Sequence, residues 1–239
     1  RSSGRAVSGV GPKRIAWAVS GQGRALHAVL EAMDAGLLPV AIVAVVIDRP
    51  SPISAIAAAR GLPCRLIEPD GRRYHPELVT LLAQERADWL GLTFNRLLSD
   101  AVIRQLDGRI FNLHMSLLPM FPGFGAIGQS LASGMRLTAA TVHLVDGTTD
   151  QGPILAQSAV PVARRDTPAT LGRRLFEAAL PLLLQVVRSI GEGELCFDPS
   201  SGLTWPRADT APTWPTPIFP LVDEDLLRFA SEYCQRLPS

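Results

Sequence analysis

"PVAIVAVVID", residues 39–48, is an apolar run dominated by β-branched side chains, with no polar interruption before Asp48. A strand exposed on one side alternates polar and apolar residues. An unbroken run fits a strand covered on both faces, as in the interior of a parallel sheet. The flanking sequence agrees. "IAWAVSG" (15–21) is a shorter apolar run closed by glycine, and "RALHAVLEAMDAG" (24–36) places Leu26, Val29, Leu30 and Met33 at helical spacing until Gly36.

Downstream the alternation repeats. "PISAIAAARG" reads as a short helix ended by Gly61, "PCRLIE" as a strand, "HPELVTLLAQERA" as a helix and "DWLGLTF" as a strand. "SDAVIRQLDG" reads as a helix capped by Ser99, and "RIFNLH" as a fifth strand carrying Asn112 and His114 at its C-terminal end. After a helix at "AIGQSLASG", the strands "TAATVHLVD" and "PILAQSAVPV" are joined only by "GTTDQG", too short for a parallel crossover, so they should pair antiparallel. Thr167 and Pro168 open a long helix that Pro181 is expected to kink or divide. The pattern predicts an α/β fold: a doubly wound, mostly parallel but mixed, Rossmann-like sheet of about seven strands with helices on both faces.

Residues 1–13 are small, polar and glycine-rich, a flexible lead-in; 14–195 form the catalytic domain; 196–239 are a Pro/Trp-rich appendage ending in a helical stretch at "DEDLLRFASEYCQRL". The part from Trp205 to Phe219 is rich in proline, which favours an extended path over the surface as a lid, a dimer arm or simple packing.

Bulk composition narrows the chemistry. The net charge of the 239 residues is +1 and the arginines are scattered singly or in pairs, so no stripe for nucleic acid is expected. Lys13 is the one lysine, which argues against Schiff-base and P-loop chemistry and leaves anion binding to arginine. Cys64, Cys196 and Cys234 are far apart and odd in number, suggesting reduced thiols and neither a zinc site nor a disulfide framework. The N-terminal stretch has no apolar leader, and no run approaches membrane-spanning length. We therefore expect a cytoplasmic chain with no membrane, nucleic-acid or metal partner, and leave a homodimer open.

Asn112, His114 and Asp150 are the candidate catalytic set. Taken singly, each has a structural explanation: a strand-end amide, a hydrogen-bonded core histidine, a turn aspartate. Together they supply an amide donor, an imidazole and a carboxylate to orient it, with no serine or cysteine nucleophile to serve. Such a trio stabilises a developing oxyanion and moves protons while the substrate brings the nucleophile, as in acyl transfer to an amine.

The stretches "FNLHMSLLPMFPG" (111–123), "ATVHLVDGTTDQGPILAQSAVPV" (140–162) and "DTPATL" (166–171) resemble the 10-formyltetrahydrofolate-dependent formyltransferases, most closely the glycinamide ribonucleotide transformylase type. Met115 departs from the usual proline after the histidine. The resemblance spans roughly residues 14–193 and implies that Asn112 and protonated His114 hold the oxyanion of the attacked formyl group while Asp150 orients the histidine. It also implies a pterin pocket formed by Arg96, Leu97 and Leu98 with the Gly147, Thr148 and Thr149 turn.

The acceptor side is expected at Gly21, Gln22, Gly23 and Arg24, a Gly-x-Gly turn whose amides can approach an anion. Arg24 and Ala25 stand where the resemblance implies a phosphate-gripping Ser-Asn, and Ala179 where it implies a glutamate near the amine. These departures favour a small-molecule acceptor other than glycinamide ribonucleotide, such as N-hydroxyornithine, an amino acid or peptide amine, or an amino sugar nucleotide. Phosphoribosylglycinamide is the alternative, with Arg24 substituting for the lost grip. Nothing resembles the C-terminal barrel of methionyl-tRNA formyltransferases, so tRNA is not expected. A distant alternative is an NAD-dependent oxidoreductase, because "SGQGRAL" with Asp48 imitates a dinucleotide fingerprint. Leu26 replaces its third glycine, however, and the Asn-x-His…Asp pattern would go unexplained.

Overall fold

The computed structural model describes residues 11–67, 76–198, 202–204, 218–219 and 222–238. Its main sheet has eight strands in the order β10-β7-β6-β5-β4-β1-β2-β3. β1 (Lys13–Val19), β2 (Val40–Ile47), β3 (Cys64–Leu66), β4 (Trp89–Thr93) and β5 (Ile110–His114) run parallel; β6 (Leu137–Leu144) and β7 (Ile154–Pro161) follow antiparallel. The expected seven strands are thus present and the sheet is mixed. An eighth, β10 (Ile218–Phe219), is a two-residue addition to the β7 edge, and β8 (Cys196–Asp198) pairs with β9 (Gly202–Thr204) in a separate ribbon. The 205–217 stretch expected to run extended over the surface lies outside the described residues.

The sheet separates two cores. Ile15, Trp17 and Val19 of β1 face one with α1 (Arg24–Asp34), α2 (Ile53–Ala59), α6 (Pro168–Gly191) and α7 (Glu224–Gln235). Ala16 and Ala18, on the opposite side of the same strand, face the other with α3 (Pro76–Gln84) and α4 (Asp100–Leu106). The remaining helix, α5 (Ala126–Ala132), packs Ile127 and Leu131 on the first core. β1 therefore shows period-two alternation although neither face meets water. Strand order reverses between β1 and β4, and a crevice at the carboxyl ends of such strands is where doubly wound sheets take ligands.

The helix ends test the local rules. Thr167 closes a capping box with Thr170, with Pro168 in the first turn as its fixed φ allows. Ser99 occupies the N-cap position of α4 with extended backbone, but its side chain makes no capping bond; its carbonyl accepts from the amides of Val102 and Ile103. Pro181 does not divide α6, which runs unbroken from Pro168 to Gly191 with Pro181 buried. The apolar residues around it, Leu180, Leu182, Leu183 and Leu184, are all fully buried, so packing outweighs one missing helix bond. The helix at the end of the expected appendage, α7, buries Leu226, Ala230, Tyr233 and Cys234 in the first core. No helix among the described residues is long and apolar enough to cross a membrane.

Gly91 fixes how the centre of the sheet closes. Trp17 of β1 and Phe111 of β5 meet edge to face across β4, ring centres 5.4 Å apart, and a Cβ on Gly91 would lie 2.8 Å from an atom of each ring. Gly91→Ala should lower stability by about 1–3 kcal/mol, read as a lower urea midpoint with the denaturant slope unchanged.

Candidate active site

On β5, Asn112 and His114 share the face that Ile110 gives to the second core, since side chains alternate along a strand. Across the antiparallel ladder Asn112 opposes His143 and His114 opposes Thr141. The second core therefore gives way at the β5–β6 edge to a polar patch of two imidazoles, an amide and a hydroxyl, all buried.

Asp150 reaches this patch because the 145–153 loop folds back on β6. Gly152 makes that possible: a Cβ there would fall well inside contact distance of the Leu144 carbonyl oxygen. The Leu144 amide donates to the Pro153 carbonyl at 2.8 Å, closing the loop's base, and Asp146 accepts from the Thr148 amide at 3.0 Å. Asp150 itself has φ 51°, left-handed for a residue with a Cβ. Aspartate tolerates that region better than most residues, at a cost on the order of 1 kcal/mol.

The carboxylate is shared. Oδ2 accepts from the Gly123 amide at 2.7 Å and lies 3.4 Å from His114 Nδ1; Oδ1 lies 3.4 Å from His143 Nε2 and 3.5 Å from Asn112 Nδ2. Burial pushes the Asp150 carboxyl up, but the His143 and Gly123 hydrogen bonds and the charge of His114 outweigh it and hold it below the usual range. His114 Nε2 is 3.0 Å from the Phe121 carbonyl, so both ring nitrogens face acceptors. An imidazolium donates to both; a neutral ring leaves one acceptor facing another. His143 Nδ1 lies 2.8 Å from the Leu144 carbonyl, and its Nε2 lies 3.2 Å from Asn112 Nδ2 as well as 3.4 Å from Asp150 Oδ1. The Asn112 amide hydrogens thus turn toward His143 and Asp150, while its buried Oδ1 has no hydrogen-bond partner among the described residues.

Beside the trio opens a cavity of about 370 Å³. Arg96, Leu97, Leu98, Thr148 and Thr149 line it as the sequence led us to expect, together with Asn112, His114 and Asp150. Gly147 does not; its φ of 96° shapes the turn beneath. Leu92, Phe94, Met115, Phe124 and Ile127 are lining residues that sequence reasoning missed, as it missed His143 behind the carboxylate. The "TVH" run, with a histidine on a buried strand next to the aspartate loop, held the available signal for His143. Apolar walls with a few convergent polar groups suit a flat heteroaromatic ligand.

Gly21, Gln22, Gly23 and Arg24 lie outside the lining of this cavity, at the end of β1 and the start of α1. Gly23 has φ 73°, and a Cβ there would sit 2.6 Å from Ile53 Cβ, so the turn requires glycine. No side chain caps α1. Asp48, the would-be ribose ligand of the oxidoreductase alternative, is committed elsewhere. Its fully buried carboxylate accepts from Ser20 at 3.0 Å, Arg49 at 2.9 Å and Arg96 at 3.1 Å. Ala179 is fully buried in the first core, so the acceptor glutamate implied by the resemblance has no counterpart facing the cleft at that position.

Sheet order, cleft and polar trio define an α/β transferase, and comparison with known proteins supplies the class: residues 13–187 match the formyl transferase family, to which the chain belongs. It is a folate-dependent formyltransferase with 10-formyltetrahydrofolate as co-substrate. Among its relatives, phosphoribosylglycinamide formyltransferase of Mycobacterium tuberculosis is 36% identical over 184 residues, 75% of this chain and 85% of that one. The crystal structure of glycinamide ribonucleotide transformylase 1 from Symbiobacterium toebii superposes with a TM-score of 0.75 at 31% identity, covering 83% of this chain and 97% of that one. A formyltetrahydrofolate deformylase from Pseudomonas syringae, at 23% identity and TM-score 0.74, shares the fold; the match covers 81% of this chain and 66% of that one.

The shared carboxylate has a pH consequence. The Asp150 carboxyl titrates lower in the folded than in the unfolded chain, so its contribution to stability is present above the ordinary carboxylate range. That contribution disappears as pH falls through the lowered folded value. Asp150→Asn, uncharged throughout, should therefore lose less of its urea midpoint between about pH 6 and about pH 3 than the wild type loses.

Proposed function

We propose that this chain transfers the formyl group of 10-formyltetrahydrofolate to the amine of phosphoribosylglycinamide, with Asn112, His114 and Asp150 as its catalytic set. The observation that carries the proposal is the convergence of those three side chains, with Asp150 3.4 Å from His114 Nδ1, at the edge of a largely apolar cavity. Similarity to phosphoribosylglycinamide formyltransferases over most of their length supports the acceptor. So does the α1 N-terminus with Arg24 beside it, a setting suited to a phosphate monoester.

In the reaction a bond forms between the amine nitrogen and the formyl carbon, the bond from that carbon to the folate nitrogen breaks, and an amine proton ends on the leaving nitrogen. The chain's part is to hold charge and carry that proton. The Nδ1–H of His114 is the looser of its two contacts, so it is the hydrogen free to serve the developing oxyanion while Phe121 keeps the ring in place. Asn112, which lines the cavity beside it, brings an amide as the second side chain within reach of that oxyanion. Asp150, held ionised, balances the His114 imidazolium and relays the proton released by the amine.

A second reading, an acceptor other than phosphoribosylglycinamide, is favoured by Arg24 and Ala25 and by Ala179, where the glutamate implied by the resemblance is absent. N-hydroxyornithine, an amino acid or peptide amine, and an amino sugar nucleotide are its candidates. The test follows the absorbance change of the folate product with each acceptor and compares kcat/KM. Phosphoribosylglycinamide should lead; turnover of another amine with none of phosphoribosylglycinamide moves the acceptor to the second reading.

His114→Ala and Asn112→Ala should each lower kcat by about 10²–10⁴ with whichever acceptor is used. Wild-type turnover by His114→Ala would remove the catalytic assignment.

A further inference from the structure

The family match ends at residue 187, whereas α7 begins at Glu224. This helix is nevertheless tied into the catalytic fold. Arg188 on α6 donates to Asp223 at 3.0 Å and to both oxygens of Asp225 at 2.9 and 2.6 Å, and the Asp223 amide donates to Gln185 at 2.9 Å. The last turns of α7 then meet the first turns of α1. Tyr233, only 3% exposed, donates its hydroxyl hydrogen to the carbonyl oxygen of Arg24 at 3.0 Å, and His27 Nδ1 lies 3.0 Å from the same hydroxyl. With that hydrogen committed, the contact requires an Nδ1–H on His27, which donates to the phenol oxygen. Arg236 reaches across to Glu31 at 2.6 Å and lies over the Tyr233 ring.

Arg24 is the first residue of α1, directly after the Gly-x-Gly turn. Its carbonyl in a regular helix already accepts from the residue four positions on, so the phenol supplies a second bond to the same oxygen. Tyr233 and His27 thereby fix the axis of the first helical turn, and with it the direction of the amides at the turn. A loop held in place before binding does not have to be ordered by the ligand.

We propose that α7 braces the acceptor loop, and that Tyr233 is a positioning residue for acceptor binding. The proposal rests on the reading that residues 21–24 grip the acceptor's phosphate. The bond acts on loop order alone: the trio and the folate cavity are built from β4 and the 94–98 segment after it, β5, the 115–127 segment and the 145–153 loop, none of which Tyr233 touches through its hydroxyl.

Tyr233→Phe removes the hydroxyl and keeps the ring. In the full chain, with 10-formyltetrahydrofolate and phosphoribosylglycinamide, it should raise the acceptor KM about 3- to 10-fold, the worth of one hydrogen bond, and leave the folate KM and kcat unmoved. Backbone amide exchange should quicken over residues 21–27 and stay unchanged over 112–114. An unmoved acceptor KM overturns the brace. So does a loss spread over kcat and both KM values in step with a lower Tm, the mark of a merely structural residue. Arg24→Gln separates the two layers: if it raises the acceptor KM while Tyr233→Phe does not, the loop reading stands and the brace falls. If neither variant moves it, the loop reading itself has failed.

Discussion

The site exists because one glycine lets the chain lie against a carbonyl. Gly152 sits where any side chain would strike the Leu144 oxygen, and this close approach turns the 145–153 loop back over the sheet. Without it Asp150 has no route to the β5–β6 edge, since the hairpin that carries it leaves β6 beside Phe111, below the level of His114. The left-handed backbone at Asp150 is the strained end of the same fold-back. The antiparallel pair is therefore more than a cap on the sheet; it is the device that delivers a carboxylate to two imidazoles.

Two carboxylates, Asp48 buried and Asp150 partly so, organise the strand ends in the same way. Asp150 gathers Gly123, His114, His143 and Asn112 from three separate segments. Asp48 gathers Ser20 after β1, Arg49 after β2 and Arg96 after β4. In each case several donors hold the ionised form against the cost of burial, which raises the carboxyl when it acts alone. Arg96 belongs to the cavity wall and Ser20 follows β1, so Asp48 ties the end of β1 to the wall of the cavity.

The sheet was readable because its apolar runs are long and punctuated by glycine; "PVAIVAVVID" predicts a central strand and β2 is one. The antiparallel β6–β7 pair was readable from a six-residue connection. Local rules carried less far where tertiary packing shares the outcome. Pro181 breaks a helix in isolation but lies within a fully buried leucine face, and Ser99 has the residue type and backbone of a cap without using its hydroxyl. Asn112, His114 and Asp150 were legible as types and spacing. His143 was not, because a histidine on a buried strand looks the same in sequence whether it packs or bridges. The apolar cavity wall was hidden for a related reason: Leu92, Phe94 and Ile127 are ordinary core types until topology turns them toward a cleft.

A site whose nucleophile arrives with the substrate places its specificity and its chemistry in different parts of the fold. Here the polar trio and its buried partners depend on the β5–β6 ladder and one loop, while the proposed acceptor turn adjoins β1, α1 and the helix packed behind it. Arg24 and Ala25 can therefore differ from what the resemblance implies without disturbing a single contact of Asn112, His114 or Asp150. The proposed catalytic set tolerates little change because each member's hydrogen bonds are completed by the others. The proposed acceptor turn is held by backbone geometry at Gly21 and Gly23 and by contacts to main-chain oxygens, which place no demand on the side chain of Arg24.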